Sequence, residues 1–321
     1  MSIAKTGVHV KSVGCCVPEQ ILTNKDIESF LDTSDEWITT RTGIKQRHIV
    51  PKNNPTSAAE LGAKAAQSAL KRAGMSPSDI DGIVCATFTP DYFFPSTACK
   101  IQAALGIEQA FGFDVSAACA GFIYAMTVAN NMIRGGQAKN MLVIGTEVIS
   151  KTLDWNDRNT CILFGDGAGA VVISAQEDSS RGILSSYIAS DGSHGDILKL
   201  PAWGEDRCMS MNGNEVFKHA VRLMSDSAQR ILTEADISLD QIDLIIPHQA
   251  NIRIIKALSS QLKFPMEKII TNMDRYGNTS SASIPLALNQ AWDEGRIKEG
   301  TKVLFTCIGG GLTVGSSLVI F

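Results

Sequence analysis

Residues 65–84 recur at 227–246. Ala66, Gln67, Leu70, Ala73, Ser76, Ile80, Asp81 and Ile83 reappear 162 positions later as Ala228, Gln229, Leu232, Ala235, Ser238, Ile242, Asp243 and Ile245. Eight identities in twenty gapless positions mark an internal duplication, so the chain must fold as two similar units. The same offset lays Ser116-Ala-Ala-Cys119 on Asn278-Thr-Ser-Ser281, and a nearby one lays Leu142-Val-Ile-Gly145 on Thr306-Cys-Ile-Gly309. Each unit then reads as helix, strand, small-residue turn, buried helix, strand. Such α/β units cover both sheet faces and gather ligands at the carboxyl ends of their strands. The apolar pattern breaks at Gln176-Glu-Asp-Ser-Ser-Arg181. This places the halves at 1–178 and 179–321, facing each other across one crevice.

Local signals fill in the first half. A strand and turn are expected over 7–20, a short helix capped by Asn24, a helix from Thr56 to Ala73 and an apolar strand over 80–87. The segment from Thr33 to His48 mixes Trp37 with Arg41 and one further arginine, Arg47. Trp37 either caps a core edge or stacks on a purine whose phosphates meet arginine.

The turn ending at Cys119 precedes a nearly all-apolar helix containing Phe122, Ile123, Met126 and Val128. At a helix N-terminus the unpaired N–H groups favour thiolate, which a sulfur nucleophile needs. A buried, inert cysteine fits the same stretch equally well. In the second half, His248 follows the strand Leu244–Pro247 and Asn278 precedes Thr-Ser-Ser-Ala-Ser, so the duplication sends both toward Cys119. Gly309-Gly-Gly311 closes a strand and lets backbone N–H groups approach a reacting centre. It lacks the spacing of a dinucleotide loop.

Composition narrows the partners. A net charge of −4 with dispersed Lys and Arg gives no nucleic-acid footprint. The eight cysteines show no paired metal-ligand spacing, consistent with a reducing cytoplasm. Met1-Ser-Ile-Ala-Lys5 has no signal-peptide core, and no apolar run approaches the ~18 residues of a membrane span, so a soluble cytoplasmic protein is expected.

Several of these stretches, with Phe164-Gly-Asp-Gly-Ala-Gly-Ala170, Ser34-Asp-Glu-Trp-Ile-Thr-Thr-Arg41 and Gly309-Gly-Gly-Leu-Thr313, closely resemble the β-ketoacyl-ACP synthase III family, collinearly from about residue 7 to Phe321. The resemblance implies the thiolase fold, an internally duplicated five-layer αβαβα sandwich, in a homodimer. It implies that Cys119 takes an acyl group from acyl-CoA, usually acetyl-CoA. Malonyl-ACP is then decarboxylated and condensed to a β-ketoacyl-ACP, initiating fatty acid biosynthesis. Catalytic roles fall on Cys119, His248 and Asn278, and the oxyanion on the N–H groups of Cys119 and Gly310. CoA would meet Thr33, Trp37, Arg41, Arg158, Asn214 and Asn251, with Trp37 and Arg158 sandwiching adenine. Phe94 would close the acyl pocket across the dimer and Arg253 would meet the acyl carrier protein. No cofactor beyond the CoA thioester and no metal is implied.

Three features depart from the family. Ile308 and Val314 stand where aromatic residues are usual, and Cys307 lies where true thiolases carry a second catalytic cysteine. A thiolase would carry Asn-Glu-Ala and Gly-His-Pro at the His248 and Asn278 stretches, so Cys307 is read as a buried strand residue. Alternatives are a ketosynthase-III-like enzyme of secondary metabolism and a cysteine hydrolase, whose His would be held by an Asn or Asp. A carrier-binding paralogue without catalysis is disfavoured by the intact Cys119, His248 and Asn278.

Overall fold

The computed structural model describes residues 6–204 and 207–321; Met1–Lys5, read above for the absence of a signal core, lie outside them. The first half runs β1 (Gly7–Cys16), β2 (Ile21–Thr23), α1 (Asn24–Glu28), α2 (Asp35–Thr42), β3 (Gln46–His48), α3 (Ala58–Ala73), β4 (Gly82–Ala86), α4 (Thr97–Leu105), β5 (Phe111–Val115), α5 (Gly121–Arg134), β6 (Asn140–Glu147) and β7 (Gly167–Gln176). The second runs β8 (Gly182–Ala189), β9 (Leu198–Lys199), β10 (Ser210–Met211), α6 (Gly213–Glu234), β11 (Leu244–Pro247), α7 (Ile252–Leu262), α8 (Met273–Tyr276), α9 (Ser283–Asp293), β12 (Lys302–Gly309) and β13 (Thr313–Ile320).

Two mixed sheets form, ordered β1-β7-β6-β4-β5 and β11-β12-β13-β8. The apolar stripe of α3, with Leu61 and Leu70 almost wholly buried, covers the outer face of the first sheet. Each such leucine contributes about 1.5–3 kcal/mol by leaving water. Ser57 caps that helix, its hydroxyl accepting from the Glu60 N–H, and Gly74 ends it at φ 65°. On the far side α6 and α7 cover the second sheet. Between the sheets lie α5 and α9, in one core cluster with strand residues of both halves. The result is the expected five-layer αβαβα arrangement.

The duplication holds in register. Gly82 pairs Met141 where β4 meets β6, and Leu244 pairs Val303 where β11 meets β12, so both strand pairs keep the 162-residue spacing. This corrects the alignment of Gly145 with Gly309: Gly145 matches Cys307, and Glu147 matches Gly309. Asp81 accepts from the Asn140 N–H at 2.9 Å, and Asp243 accepts from the Lys302 N–H at 2.8 Å, the same bond in each half. The duplication is incomplete at one edge, where the partner of β5 shrinks to a single bridge between Ile245 and Ile269.

Asn24 does not cap α1. Thr23 does so, in a reciprocal capping box with Asp26. Asn24 is the buried first residue of the helix and donates to Asp35 and to the Ile44 carbonyl while accepting from Arg47. Its hydrogen-bonding capacity is consumed by tertiary contacts that local sequence does not reveal.

Candidate active site

β5 runs into a one-turn 3₁₀ segment, Ala118–Ala120, from which α5 departs; its counterpart Ser280–Ala282 leads into α9. Both turns begin with a left-handed residue, Ala118 at φ 46° and Ser280 at φ 51°. A non-glycine residue held there costs about 1–3 kcal/mol, so tertiary contacts must hold both elbows in shape. Thr313 supplies one, its hydroxyl donating to the Ala117 carbonyl at 3.0 Å. The elbows face each other, and the Ser280 hydroxyl donates to Cys119 Sγ at 3.2 Å.

Gly309 explains how close the second half approaches. A Cβ there would lie 2.7 Å from the Cys119 nitrogen and 2.8 Å from Thr313 Oγ1, so any side chain would push β12 off the Cys119 turn. Gly310 lies at the junction of two cavities, both lined by Cys119. One, of about 110 Å³, is lined by Cys119, His248, Asn278, Asn251, Gly310 and Ile308 among others. The other, of about 250 Å³, is walled by Phe88, Phe164, Leu198, Leu200 and Met209. Cys119 thus lies between a chamber that carries His248, Asn278 and Asn251 and a second, walled mainly by apolar side chains, that also takes in Ser116, Lys199 and Thr313.

His248 is buried, its backbone N–H donating to the Thr306 carbonyl at 2.9 Å. Burial pushes its pKa down to about 4, so the imidazole is neutral near pH 7. Among the described residues its Nδ1 has no hydrogen-bond partner. A hydrolase-type Asn or Asp on that nitrogen is therefore missing. Asn278 Oδ1 accepts from the Ser280 N–H at 2.9 Å, which leaves the amide N–H groups for a ligand. Its backbone is pinned to the first half: the Asn278 N–H donates to the Leu163 carbonyl and the Gly165 N–H to the Asn278 carbonyl. The adjacent Asp166 accepts from the Val50 N–H and from the Ser150 N–H and hydroxyl. Those bonds account for the Phe164-Gly-Asp-Gly stretch as the brace under Asn278.

The expected thiolate is corrected. Burial raises the Cys119 pKa to about 12, against the lowering effect of the Ser280 hydroxyl and of a backbone N–H. Desolvation outweighs the helix N-terminus in the closed cavity, and Cys119 rests as a thiol.

Among the CoA residues, Asn251 lines the cavity and also caps α7, accepting from the Arg253 N–H. Asn214 does not line it; Gly213 does, and the exposed Asn214 lies one residue further on in α6. Arg41 and Arg158 both stack on Trp37, at 4.6 and 4.9 Å from the ring centroid. The Trp37–Arg158 sandwich is therefore shut, and a base enters it only if Arg158 swings out and gives up its bond to the Asp32 carbonyl. Thr33 is part-buried nearby, its Oγ1 unpartnered among the described residues. Arg253 is exposed and leans over Phe217, a cavity residue. Phe94, 86% exposed, lines neither cavity of its own chain; Phe88 takes the wall position. The sequence reading missed Phe88, Ser280 and the buried Glu147, although Glu147 stands 162 residues before Gly309.

Cys307 lies in β12, fully buried, and lines neither cavity. Its Sγ donates to the Gly315 carbonyl, and burial raises its pKa further still than that of Cys119. Cys307→Ala should keep full condensing activity with malonyl thioesters and lose about 1 kcal/mol of stability, read as a lower Tm. Self-condensation of acetyl-CoA that vanishes in this variant would restore the thiolase reading.

Profiles described as 3-oxoacyl-[acyl-carrier-protein (ACP)] synthase III and its C-terminal part match residues 113–192 and 232–321. A β-ketoacyl-[acyl-carrier-protein] synthase III of Aquifex aeolicus is 48% identical, covering 98% of this chain and 99% of the relative. One of Campylobacter jejuni is 49% identical, covering 97% of each. The solved Aquifex aeolicus 3-oxoacyl-[acyl-carrier-protein] synthase III superposes with a TM-score of 0.94 at 46% identity, over 98% of this chain and 100% of that one. The priming β-ketosynthase of a polyketide pathway superposes at 0.93 with 33% identity, covering 99% of this chain and 97% of that one. On these matches, and with Cys119, His248 and Asn278 lining one cavity, this chain belongs to the β-ketoacyl-[acyl-carrier-protein] synthase III family.

Proposed function

We propose that this acyltransferase condenses an acyl-CoA, acetyl-CoA first among them, with malonyl-ACP to give a β-ketoacyl-ACP, the initiating step of fatty acid biosynthesis. The observation that carries this reading is the single cavity lined by Cys119, His248 and Asn278, with Cys307 outside it. In the first half-reaction the Cys119 sulfur attacks the thioester carbonyl. The C–S bond to CoA breaks and the thiol proton ends on the departing CoA sulfur. The Cys119 and Gly310 N–H groups hold the tetrahedral oxyanion, and the acyl chain enters the apolar chamber beside Phe88 and Met209.

In the second half-reaction the malonyl thioester loses carbon dioxide, and its C–C bond electrons form an enolate whose oxygen takes hydrogen bonds from His248 and Asn278. Neutral His248 suits this work because an imidazolium would be costly in so dry a site. The enolate carbon attacks the acyl-Cys119 carbonyl, the C–S bond to Cys119 breaks, and the departing sulfur takes up a proton from solvent to restore the thiol. No base is needed to take a proton from carbon.

Asn251 supports pantetheine, Thr33 and Arg41 the CoA entrance, Trp37 and Arg158 the adenine once their stack opens, and Asn214 the rim. Arg253 receives the acidic carrier protein at the cavity mouth. The enzyme works in the cytoplasm as a homodimer in which Phe94 reaches the partner's acyl chamber, and its halves divide near residue 178, between β7 and β8. The test is intact mass after incubation with a panel of acyl-CoAs, followed by malonyl-ACP. A stoichiometric acyl adduct discharged as β-ketoacyl-ACP is expected. An adduct that water removes as fast as malonyl-ACP does would overturn the condensing role.

A further inference from the structure

Glu147 ends β6, wholly buried, and none of the chemistry above uses it. Its Oε1 accepts from the Ser281 hydroxyl at 2.8 Å. Its Oε2 accepts from the Thr89 hydroxyl at 2.7 Å, the Thr87 hydroxyl at 3.1 Å and the Phe88 N–H at 3.2 Å. One carboxylate thus ties together two segments from opposite halves. The first is the Ser280–Ala282 turn, whose neighbours are Asn278 and the Ser280 hydroxyl on Cys119. The second is the 87–89 segment, which carries Phe88 into the wall of the apolar chamber.

The internal symmetry accounts for this placement. Ser281 stands where Cys119 stands in the other half, and Glu147 where Gly309 stands. Cys119 seated on Gly309 is mirrored by Ser281 seated on Glu147. Gly145 completes the seat, since a Cβ there would lie 2.3 Å from the Ser281 carbonyl oxygen.

We propose that Glu147 is a positioning residue for the decarboxylation step, holding the Asn278 turn through Ser281 and the acyl-chamber wall through Thr87, Phe88 and Thr89. This rests on Asn278 being a donor to the enolate. The Ser281 hydroxyl has a single proton and two acceptors, Glu147 and the Ala86 carbonyl at 3.0 Å. With Glu147 ionised, that proton belongs to the carboxylate. With Glu147 protonated, the hydroxyl turns to the Ala86 carbonyl and the charge-assisted bond that joins the Asn278 turn to the carboxylate is lost.

Burial raises the Glu147 pKa to about 7, so the tie weakens as pH falls through that value. The titratable groups facing it are the thiols of Cys85 on β4 and Cys119 on the opposing elbow, both raised by burial and neutral throughout this range. The other contacts are hydroxyls and backbone N–H groups.

The experiment measures acylation by acetyl-CoA and decarboxylation of a malonyl thioester separately, from about pH 5.5 to 8.5, in wild type, Glu147→Gln, Ser281→Ala and Asn278→Ala. Decarboxylation should fall about tenfold in Glu147→Gln and Ser281→Ala, the size of one lost charge-assisted hydrogen bond, with acylation within about threefold. The wild-type acid limb near pH 7 should disappear in Glu147→Gln. Parallel losses in both half-reactions that track a lowered Tm, or an unchanged acid limb, would reduce Glu147 to a fold element. If Glu147→Gln fails to fold, Ser281→Ala decides by the same half-reaction ratio. An Asn278→Ala variant that decarboxylates normally would instead overturn the donor role itself.

Discussion

Cys119→Ser is expected to abolish acyl-enzyme formation, lowering its rate by at least about 10³-fold. The site does little to ionise the Cys119 thiol at rest, since burial holds it up at about 12. The reaction therefore depends on the intrinsic reactivity and polarisability of sulfur, helped by the Ser280 hydrogen bond. A serine hydroxyl ionises less readily still and meets the same desolvation. Its size leaves the contacts with Gly309 and Ser280 in place, so folding should be preserved. Intact mass after exposure to acetyl-CoA checks this. An adduct that persists and maps to Cys307 or Cys85 would remove Cys119 from the chemistry.

Asn278→Ala is expected to separate the two half-reactions. Loss of one preorganised donor to a developing oxyanion costs about 10²–10³ in rate, and here that loss should fall on malonyl decarboxylation. Acylation, whose oxyanion meets backbone N–H groups, should keep most of its rate. His248→Ala should show the same bias. Because the imidazole is neutral down to about pH 4, its contribution should not titrate across the neutral range. Carbon dioxide release and acyl-adduct formation, timed separately, give the ratio. Equal losses in both steps would mean that these residues serve binding or folding.

The recurrence of Ala66, Leu70, Ile80 and Asp81 disclosed the two halves because these positions are buried or hydrogen-bonded the same way in each. Asp81 and Asp243 bind equivalent backbone N–H groups, and such roles tolerate little change. Cys119, His248 and Asn278 were legible because each follows a strand or opens a helix at the facing ends of the duplicated units. The protonation state of Cys119 was not, since the helix N-terminus is a local signal while desolvation is set by both halves. Glu147 escaped notice because a Gly-to-Gly match between residues 145 and 309 hid the true register by two positions. The Trp37 cluster was legible as cations around an indole, but its closed stack depends on Arg158, far along the chain.

The middle layer constrains how such a chain is built. α5 and α9 each present apolar side chains to both sheets, in one cluster that contains Val84 and Val143 from one half and Ile246 and Phe305 from the other. Synthesis completes the first sheet only when β7 emerges to pair with β1, and at that moment one face of α5 still awaits the second half. A chain paused there displays an adhesive surface, and the resemblance between its halves offers a wrong partner, the matching unit of a neighbouring chain. Fragments cut between Gln176 and Gly182 should thus be poorly soluble alone, each exposing the face that α5 and α9 bury between the two sheets.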